Sequence, residues 1–225
     1  MTAPATAADL AWAPLDAAGV AQLLAAAPVR WWLSGGSALD RWLGRGIRPR
    51  PNIDVSVVAS DLASLIDALP DGYSAWAPAA GANDDDDATD AIVPFVQAPA
   101  DADLQPVLIR DDAAGAWAVQ LNVEDGAPRA WVYKRDPRLT LPWDAAVLDL
   151  DGIPTGAPEV QLVWKALRPR PEDDLDREAV VPSLSEQARA FYETALLRIH
   201  PHSSWTIPIR SPFAPAKASW NRKGS

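Results

Sequence analysis

SGGSALDRWLGRGIRPRPNIDVSV, Ser34 to Val57, is the stretch on which the reading of this chain turns. Two glycines follow a short apolar run, so the backbone can bend sharply and come close to another group. SALDRWLG then reads as a helix, with Ser37 as its N-cap, Asp40 reaching back three residues later, and Gly44 or Gly46 as its stop. A helix start of this kind presents unpaired N–H groups and the positive end of a dipole, which suits an anion. The spacing is not that of a Walker P-loop. RGIRPRP is a basic, proline-stiffened turn, and NIDVSVVA after it is a strand. Strand side chains alternate, so Asn52, Asp54 and Ser56 share one face while Ile53, Val55 and Val57 take the other. Residues at i and i+2 stand roughly 7 Å apart along the backbone, close enough for two side chains to share an ion. Two-ion phosphoryl chemistry asks for carboxylates at both. This strand has only one. Arg41, Arg45, Arg48 and Arg50 crowd around the same turn, a local basic cluster in an acidic protein.

Outward from this stretch, the pattern is that of a mixed sheet. PLDAAGVAQLLAAAP predicts a helix capped by Asp16 and closed by Pro28; VRWWL predicts a strand; DLASLIDALP predicts a helix with Leu62, Leu65, Ile66 and Leu69 on its buried stripe. QPVLIR, AWAVQLNVE and RAWVYKR predict further strands. On the second of them Trp117, Val119, Leu121 and Val123 face the core, and Ala118, Gln120, Asn122 and Glu124 face a cleft. Leu141 to Pro158 reads as loop. From Glu159 the period becomes helical, in EVQLVWKALRP, DDLDREAVVPSL and SEQARAFYETALLRIHP, the last capped by Ser185. The domain reading is a flexible arm over 1–14, an α/β domain over 15–157, a helical region over 158–204 and a loose tail over 205–225. The acidic run GANDDDDATD, 81–90, reads as a solvated loop, since it lacks the ligand spacing and terminal Glu of a calcium loop.

Bulk composition narrows the chemistry. The chain has 225 residues, a net charge of -10 and 48% hydrophobic residues. Such an acidic balance argues against nucleic acid as a partner. There is no cysteine, and His200 and His202 are the two histidines, so metal binding falls to carboxylates and water. No apolar run reaches the roughly 20 residues that span a bilayer, and MTAPATAADL lacks the features of a secretory signal. The expectation is a cytoplasmic protein acting on a small molecule, with oligomeric state open. Trp31, Trp117, Trp131 and Trp164, among eleven tryptophans, fall in core-like patterns.

GGSALDRWLGRGIRPRPNIDVSV resembles the signature of the nucleotidyltransferase superfamily, in particular the bacterial aminoglycoside and lincosamide nucleotidyltransferase-like proteins. The likeness continues through WAVQLNVE, WVYKRDPRLTLPW and APEVQLVWKALRPRPEDDLD, from about Val29 to Ile199. It implies an α/β (α+β) fold, a mixed β-sheet with flanking helices and a small C-terminal helical region. It also implies ATP or another nucleoside triphosphate as substrate, with Mg2+ or Mn2+. By the resemblance, Ser34, Gly35, Gly36, Ser37, Arg48 and Lys165 hold nucleotide and phosphates. Asp54 falls on the second metal-binding carboxylate and is the catalytic position, Asn52 falls on the first, and Arg50 stands where the pattern often has His. Gln120 falls on the third carboxylate, the position of the base, with Glu124 as the alternative on the same strand. Asp173 and Asp176 match acids that contact the acceptor or lie on the helix surface. Asn52 can offer a neutral oxygen to a cation but no charge, and Gln120 cannot act as a base. Two readings stay open: transfer of a nucleoside monophosphate to a small-molecule hydroxyl, as in an aminoglycoside adenylyltransferase, or a nucleotidyltransferase-like protein that binds a nucleotide or small ligand without transfer.

Overall fold

A computed structural model describes residues 5–6, 11–78, 91–95 and 106–211. They form two compact units, residues 1–157 and 158–225. The acidic run 81–90 and the tail from 212 onward lie outside the described residues, as does most of the expected arm.

In the first unit the strands are β1 (Ala5–Thr6), β2 (Trp31–Ser34), β3 (Asp54–Val58), β4 (Tyr73–Pro78), β5 (Ala91–Pro94), β6 (Val107–Asp111) and β7 (Ala116–Glu124). After them come β8 (Gly126–Ala127), β9 (Ala130–Val132), β10 (Thr140–Pro142), β11 (Val147–Leu150) and β12 (Ile153–Gly156). Its helices are α1 (Ala17–Leu23), α2 (Gly35–Trp42), α3 (Leu62–Asp67) and α4 (Trp143–Ala146). Nine strands make one mixed sheet in the order β1-β5-β4-β6-β7-β3-β2-β12-β11, and β10-β9-β8 make a small second sheet. β3 pairs in parallel with β7, and β2 in parallel with β12; the other neighbours in the large sheet are antiparallel. The core collects Leu33, Val55, Val57, Val119, Leu121 and Val123 from the central strands, with Val20 and Leu24 around α1 and Leu62 and Leu65 of α3. Burying such side chains is what holds the layers together.

Several elements follow the sequence pattern. Asp16 caps α1, its Oδ1 accepting from Gly19 N at 2.7 Å. Gly44 takes the left-handed conformation, φ 65°, just past the end of α2. Elsewhere the structure corrects the expectation. The N-cap of α2 is Ser34 and not Ser37, because the helix starts at the paired glycines themselves. Asp40, freed from any capping box, instead accepts from Ile47 N at 3.0 Å. Leu141 to Pro158 is structured: it holds α4 and the β11–β12 hairpin, which extends the sheet beyond β2. Short strands punctuated by Pro and Gly carry too little periodicity to be separated from a loop by pattern alone. Residues 11–15 run beside β7, Ala13 N donating to Trp117 O at 3.0 Å and Leu15 N to Ala118 O at 3.1 Å.

Alternation on β7 breaks at its start. A register irregularity between Ile109 and Arg110 of β6 sets Arg110 opposite Trp117 while Ile109 pairs with Val119. An extra residue on one strand of a pair reverses the side from that point. Trp117 therefore packs with Ile92, Leu108, Trp12 and Trp76, while Ala118 joins the main core. The Trp76 and Trp117 rings meet edge to face, with centroids 5.8 Å apart.

The second unit holds α5 (Pro158–Lys165), α6 (Pro171–Val180), α7 (Glu186–Ile199) and α8 (Ile207–Arg210). Ser185 caps α7 by accepting from Ala188 N at 3.2 Å. Trp205, only 1% exposed, is the buried aromatic of this unit's end, so residues 205–211 are built into it. No helix among the described residues is long and apolar enough to cross a membrane.

Leu33 is fully buried on β2, flanked by β3 and β12. Leu33→Ala is expected to cost about 2–5 kcal/mol, read as a lowered urea midpoint by circular dichroism. An unchanged midpoint would contradict this assignment of the core.

Candidate functional site

Strand order places the residues of interest side by side. Ser34 pairs with Asp54 across β2 and β3, and Asp54 pairs with Gln120 across β3 and β7; Asn122 is opposite Ser56. Asn52 lies just before β3, two residues from Asp54 and outside the strand proper. Ile53 O accepts from Gln120 N at 3.0 Å, which carries the β3–β7 alignment back toward Asn52. Asn52, Asp54, Gln120 and Asn122 are half-buried and Ser34 is buried, so one rim of the sheet bears a compact polar cluster.

The cluster is linked through amides. Asn52 Nδ2 donates to Asp54 Oδ1 at 3.2 Å and to Gln120 Oε1 at 3.2 Å. Gln120 Nε2 donates to Asn122 Oδ1 at 3.3 Å, and Asn122 Nδ2 donates to Ser34 Oγ at 3.3 Å and, at 3.5 Å, to Asp54 Oδ1. Two amide N–H groups therefore point at one carboxylate oxygen of Asp54. This is how a lone carboxylate is held when no second one stands beside it: the positive ends of amide dipoles take the side that a cation would take. Among the described residues, no group of three or more His, Asp or Glu gathers where a metal ion could be held. The donor set, one carboxylate with amide N–H groups turned onto it, does not fit a pair of divalent ions, which need several anionic oxygens.

Gly35 explains why glycine is required at the bend. It adopts φ 58°, and a Cβ there would fall 2.3 Å from Asp54 Oδ2. At Gly36 a Cβ would lie 2.5 Å from the guanidinium carbon of Arg50. The paired glycines thus admit Asp54 and Arg50. Arg50 is held in turn by Asp40, with Nε to Oδ2 at 2.9 Å and Nη2 to Oδ1 at 2.6 Å, a forked, largely buried pair. Of the basic cluster, then, Arg50 braces the turn and Arg41 donates to Leu150 O, while Arg45 is exposed and Arg48 half-buried. Beside the glycine bend is a cavity of about 450 Å³, lined by Ser37, Asp40, Arg50 and Asn52 with Leu15 and Asp151 among its other walls.

Four expected site residues, Glu124, Lys165, Asp173 and Asp176, have buried partners of their own. Glu124 is buried, 3% exposed, and accepts from Trp131 Nε1 at 2.7 Å; it is opposite Val58, four residues along β7 from Gln120. Even spacing of the β3–β7 ladder leaves no bulge to carry its carboxylate to Asp54. Lys165, Asp173 and Asp176 are together in the helical unit, all nearly buried: Lys165 Nζ meets Asp173 Oδ1 at 2.7 Å and Asp176 Oδ2 at 3.2 Å. Asp173 and Asp176 are thus neither surface acids nor an open acceptor patch. Burial pushes the Asp173 carboxyl up, but hydrogen bonds from Arg170 and Lys165 outweigh it and hold the group well below the usual carboxylate range. The residue absent from the sequence reading of the site is Asn122. Its signal was its place two residues beyond Gln120 on the same strand face.

No family model matches this chain, and neither does any curated protein. Solved structures do resemble it. The crystal structure of ANT(2")-Ia in complex with adenylyl-2"-tobramycin is 15% identical, over 81% of this chain and 97% of that one, with a TM-score of 0.47. The solution structure of the antibiotic-resistance factor ANT(2'')-Ia is 17% identical, over 83% and 95%, with a TM-score of 0.44. An antigenic nucleotidyltransferase-like protein from Paracoccidioides brasiliensis is 16% identical, over 91% and 94%, with a TM-score of 0.37.

Gly35→Ala is expected to cost at least about 1–2 kcal/mol from the left-handed backbone alone, and to displace Asp54. A thermal unfolding midpoint equal to wild type would contradict the close packing. Lys165→Met leaves two buried carboxylates without their shared cation and is expected to cost about 3–5 kcal/mol, read by urea titration. Because the Asp173 carboxyl is depressed in the folded state, its contribution is present above about pH 4 and is lost as pH falls below that. Asp173→Asn should therefore be less stable than wild type at neutral pH, the gap closing in acid; a gap that widens in acid would reverse the sign.

Proposed function

We propose that this chain is a nucleotidyltransferase-like protein that binds a nucleotide or another small polar ligand beside the Gly35–Gly36 bend and does not transfer a nucleotidyl group. One observation carries the reading: Asp54 Oδ1 accepts from the amides of Asn52 and Asn122, where a transferase would direct that oxygen at a metal ion. Transfer to a hydroxyl also requires a group that takes the proton. Gln120, at the strand position opposite Asp54, has no basic atom for that task.

What the residues retain is recognition. Asn52, Gln120 and Asn122 offer amide donors and acceptors on one rim, Asp54 a single negative charge, and the 450 Å³ cavity a concave space next to α2. That volume lies within the range of small-molecule sites. Ser37 at the first turn of α2 supplies a hydroxyl and the helix start a positive dipole end for an anionic part of the ligand. The sequence resemblance favours a nucleotide, and a small-molecule partner in general agrees with the acidic charge of the chain.

Calorimetry with ATP and GTP, each with and without Mg2+, tests the reading alongside a transfer assay using labelled triphosphate and a panel of amino-sugars. The expected result is nucleotide binding whose affinity does not depend on Mg2+, with no labelled product. Labelled product that Asp54→Ala abolishes would establish transfer and overturn the proposal. Asn52→Asp is expected to make binding Mg2+-dependent, since it supplies the second carboxylate at i and i+2 from Asp54.

A further inference from the structure

The nine-stranded sheet ends on β11, Val147–Leu150, whose outer edge meets no further strand among the described residues. Its sequence, VLDL, contains neither lysine nor proline, and its register with β12 has no bulge, so the devices that turn a second chain away from an edge are missing. Pro154 has no N–H, and the hydrogen-bonded pairs of the β11–β12 ladder are therefore Leu148 with Thr155 and Leu150 with Ile153. Val147 and Asp149, the alternate residues, turn their backbone groups outward. Val147 N–H is taken by Trp143 O at the end of α4, which leaves Val147 O and the N–H and C=O of Asp149 on the edge.

A groove of about 540 Å³ opens beside this strand. Trp143, Val147, Leu148 and Pro154 line it with apolar surface, and Arg30 and Asp144 stand in it as well. Both charged side chains are exposed. The Arg30 guanidinium is 4.3 Å from the centre of the Trp143 ring, and among the described residues neither Arg30 nor Asp144 makes an ion pair. Arg30 precedes β2, whose parallel partner β12 begins at the hairpin turn, so the cation is toward that end of β11. Asp144, in α4, precedes the opposite end.

We infer that β11 is the contact through which two copies of this chain associate, antiparallel about a two-fold axis at Leu148, with their sheets joined edge to edge. In this register Asp149 N–H of each copy donates to Val147 O of the other, and the Leu148 side chains meet across the axis. The antiparallel turn also brings Arg30 of each copy toward Asp144 of the other. A register centred on Asp149 would set like charges face to face, which is unfavourable. The edge alone would accept any extended segment. What selects a second copy is the groove, with an unpaired cation toward one end and an unpaired anion toward the other, a pattern that its own two-fold mate complements.

Sedimentation velocity on the full chain, from about 1 to 200 µM, tests this; a reversible monomer–dimer equilibrium with its midpoint in the micromolar range is expected of so short an edge. Leu148→Lys sets two cations across the axis and is expected to stay monomeric throughout. Asp144→Arg, at an exposed residue, is expected to weaken association by about tenfold or more, and Arg30→Asp combined with Asp144→Arg to restore it. Circular dichroism checks that each variant is folded. Amide exchange over 147–150 is expected to slow in the dimer relative to dilute protein. A wild-type chain that is monomeric at the highest concentration would overturn the inference, as would a dimer that Leu148→Lys leaves intact. A charge swap that fails to recover association, or exchange over 147–150 that is equal in monomer and dimer, would do the same.

Discussion

Parallel pairing of β3 with β7, with β2 antiparallel on the other side of β3, is the constraint from which the polar rim follows. It fixes Ser34, Asp54 and Gln120 in one row across three strands, and the period of two then puts Asn52 and Asn122 beside them. The same ladder sends Leu33, Val55 and Leu121 into the core, so the register cannot slip by one residue without exposing that core. Polar chemistry on one face is thus locked by apolar burial on the other. The glycine bend belongs to this constraint too, since the end of β2 must turn into α2 within contact of Asp54, and a side chain at Gly35 would occupy the place of the carboxylate.

Charge is handled differently in the two units. On the sheet rim a single carboxylate is satisfied by neutral amides, which compensate its charge without creating a strong demand for a cation. In the helical unit, carboxylates are buried outright, and Lys165 with Arg170 supplies the balancing charge. A buried ion triad of this sort is worth little in net stability compared with an apolar replacement, yet is costly to break at one member. Lys165 thereby ties α5 to α6 through Asp173 and Asp176.

Much of the fold was legible because strong periodicity met strong punctuation. Asp16 and Ser185 cap helices where the sequence indicates, and Gly44 ends α2. β3 carries a β-branched core face in Val55 and Val57, and β7 in Val119 and Val123. What escaped was local and short. The β11–β12 hairpin has four-residue strands, the second containing Pro and Gly, and the reversal at Trp117 comes from an extra residue, Ala118, on β7 opposite the Ile109–Arg110 step of β6, whose cause lies in the pairing of two strands and not in either one. Within the site, the near absence of carboxylates could be read directly from Asn52 and Gln120. The hydrogen bonds that replace them could not, because Ser34, Asp54 and Asn122 are separated by 20 and 68 residues along the chain.

The sequence by itself determined the mixed α/β class, the glycine bend before a helix, and the shortage of negative charge around Asp54, since each is a property of residue type and near-neighbour spacing. Tertiary structure alone decided which groups answer one another: Glu124 with Trp131, Lys165 with Asp173 and Asp176, Arg50 with Asp40, and the amides with Asp54. The reason is physical. A buried polar group must be satisfied by whatever packing brings within about 3 Å, and that choice is made by strand order and helix docking, which local sequence does not encode.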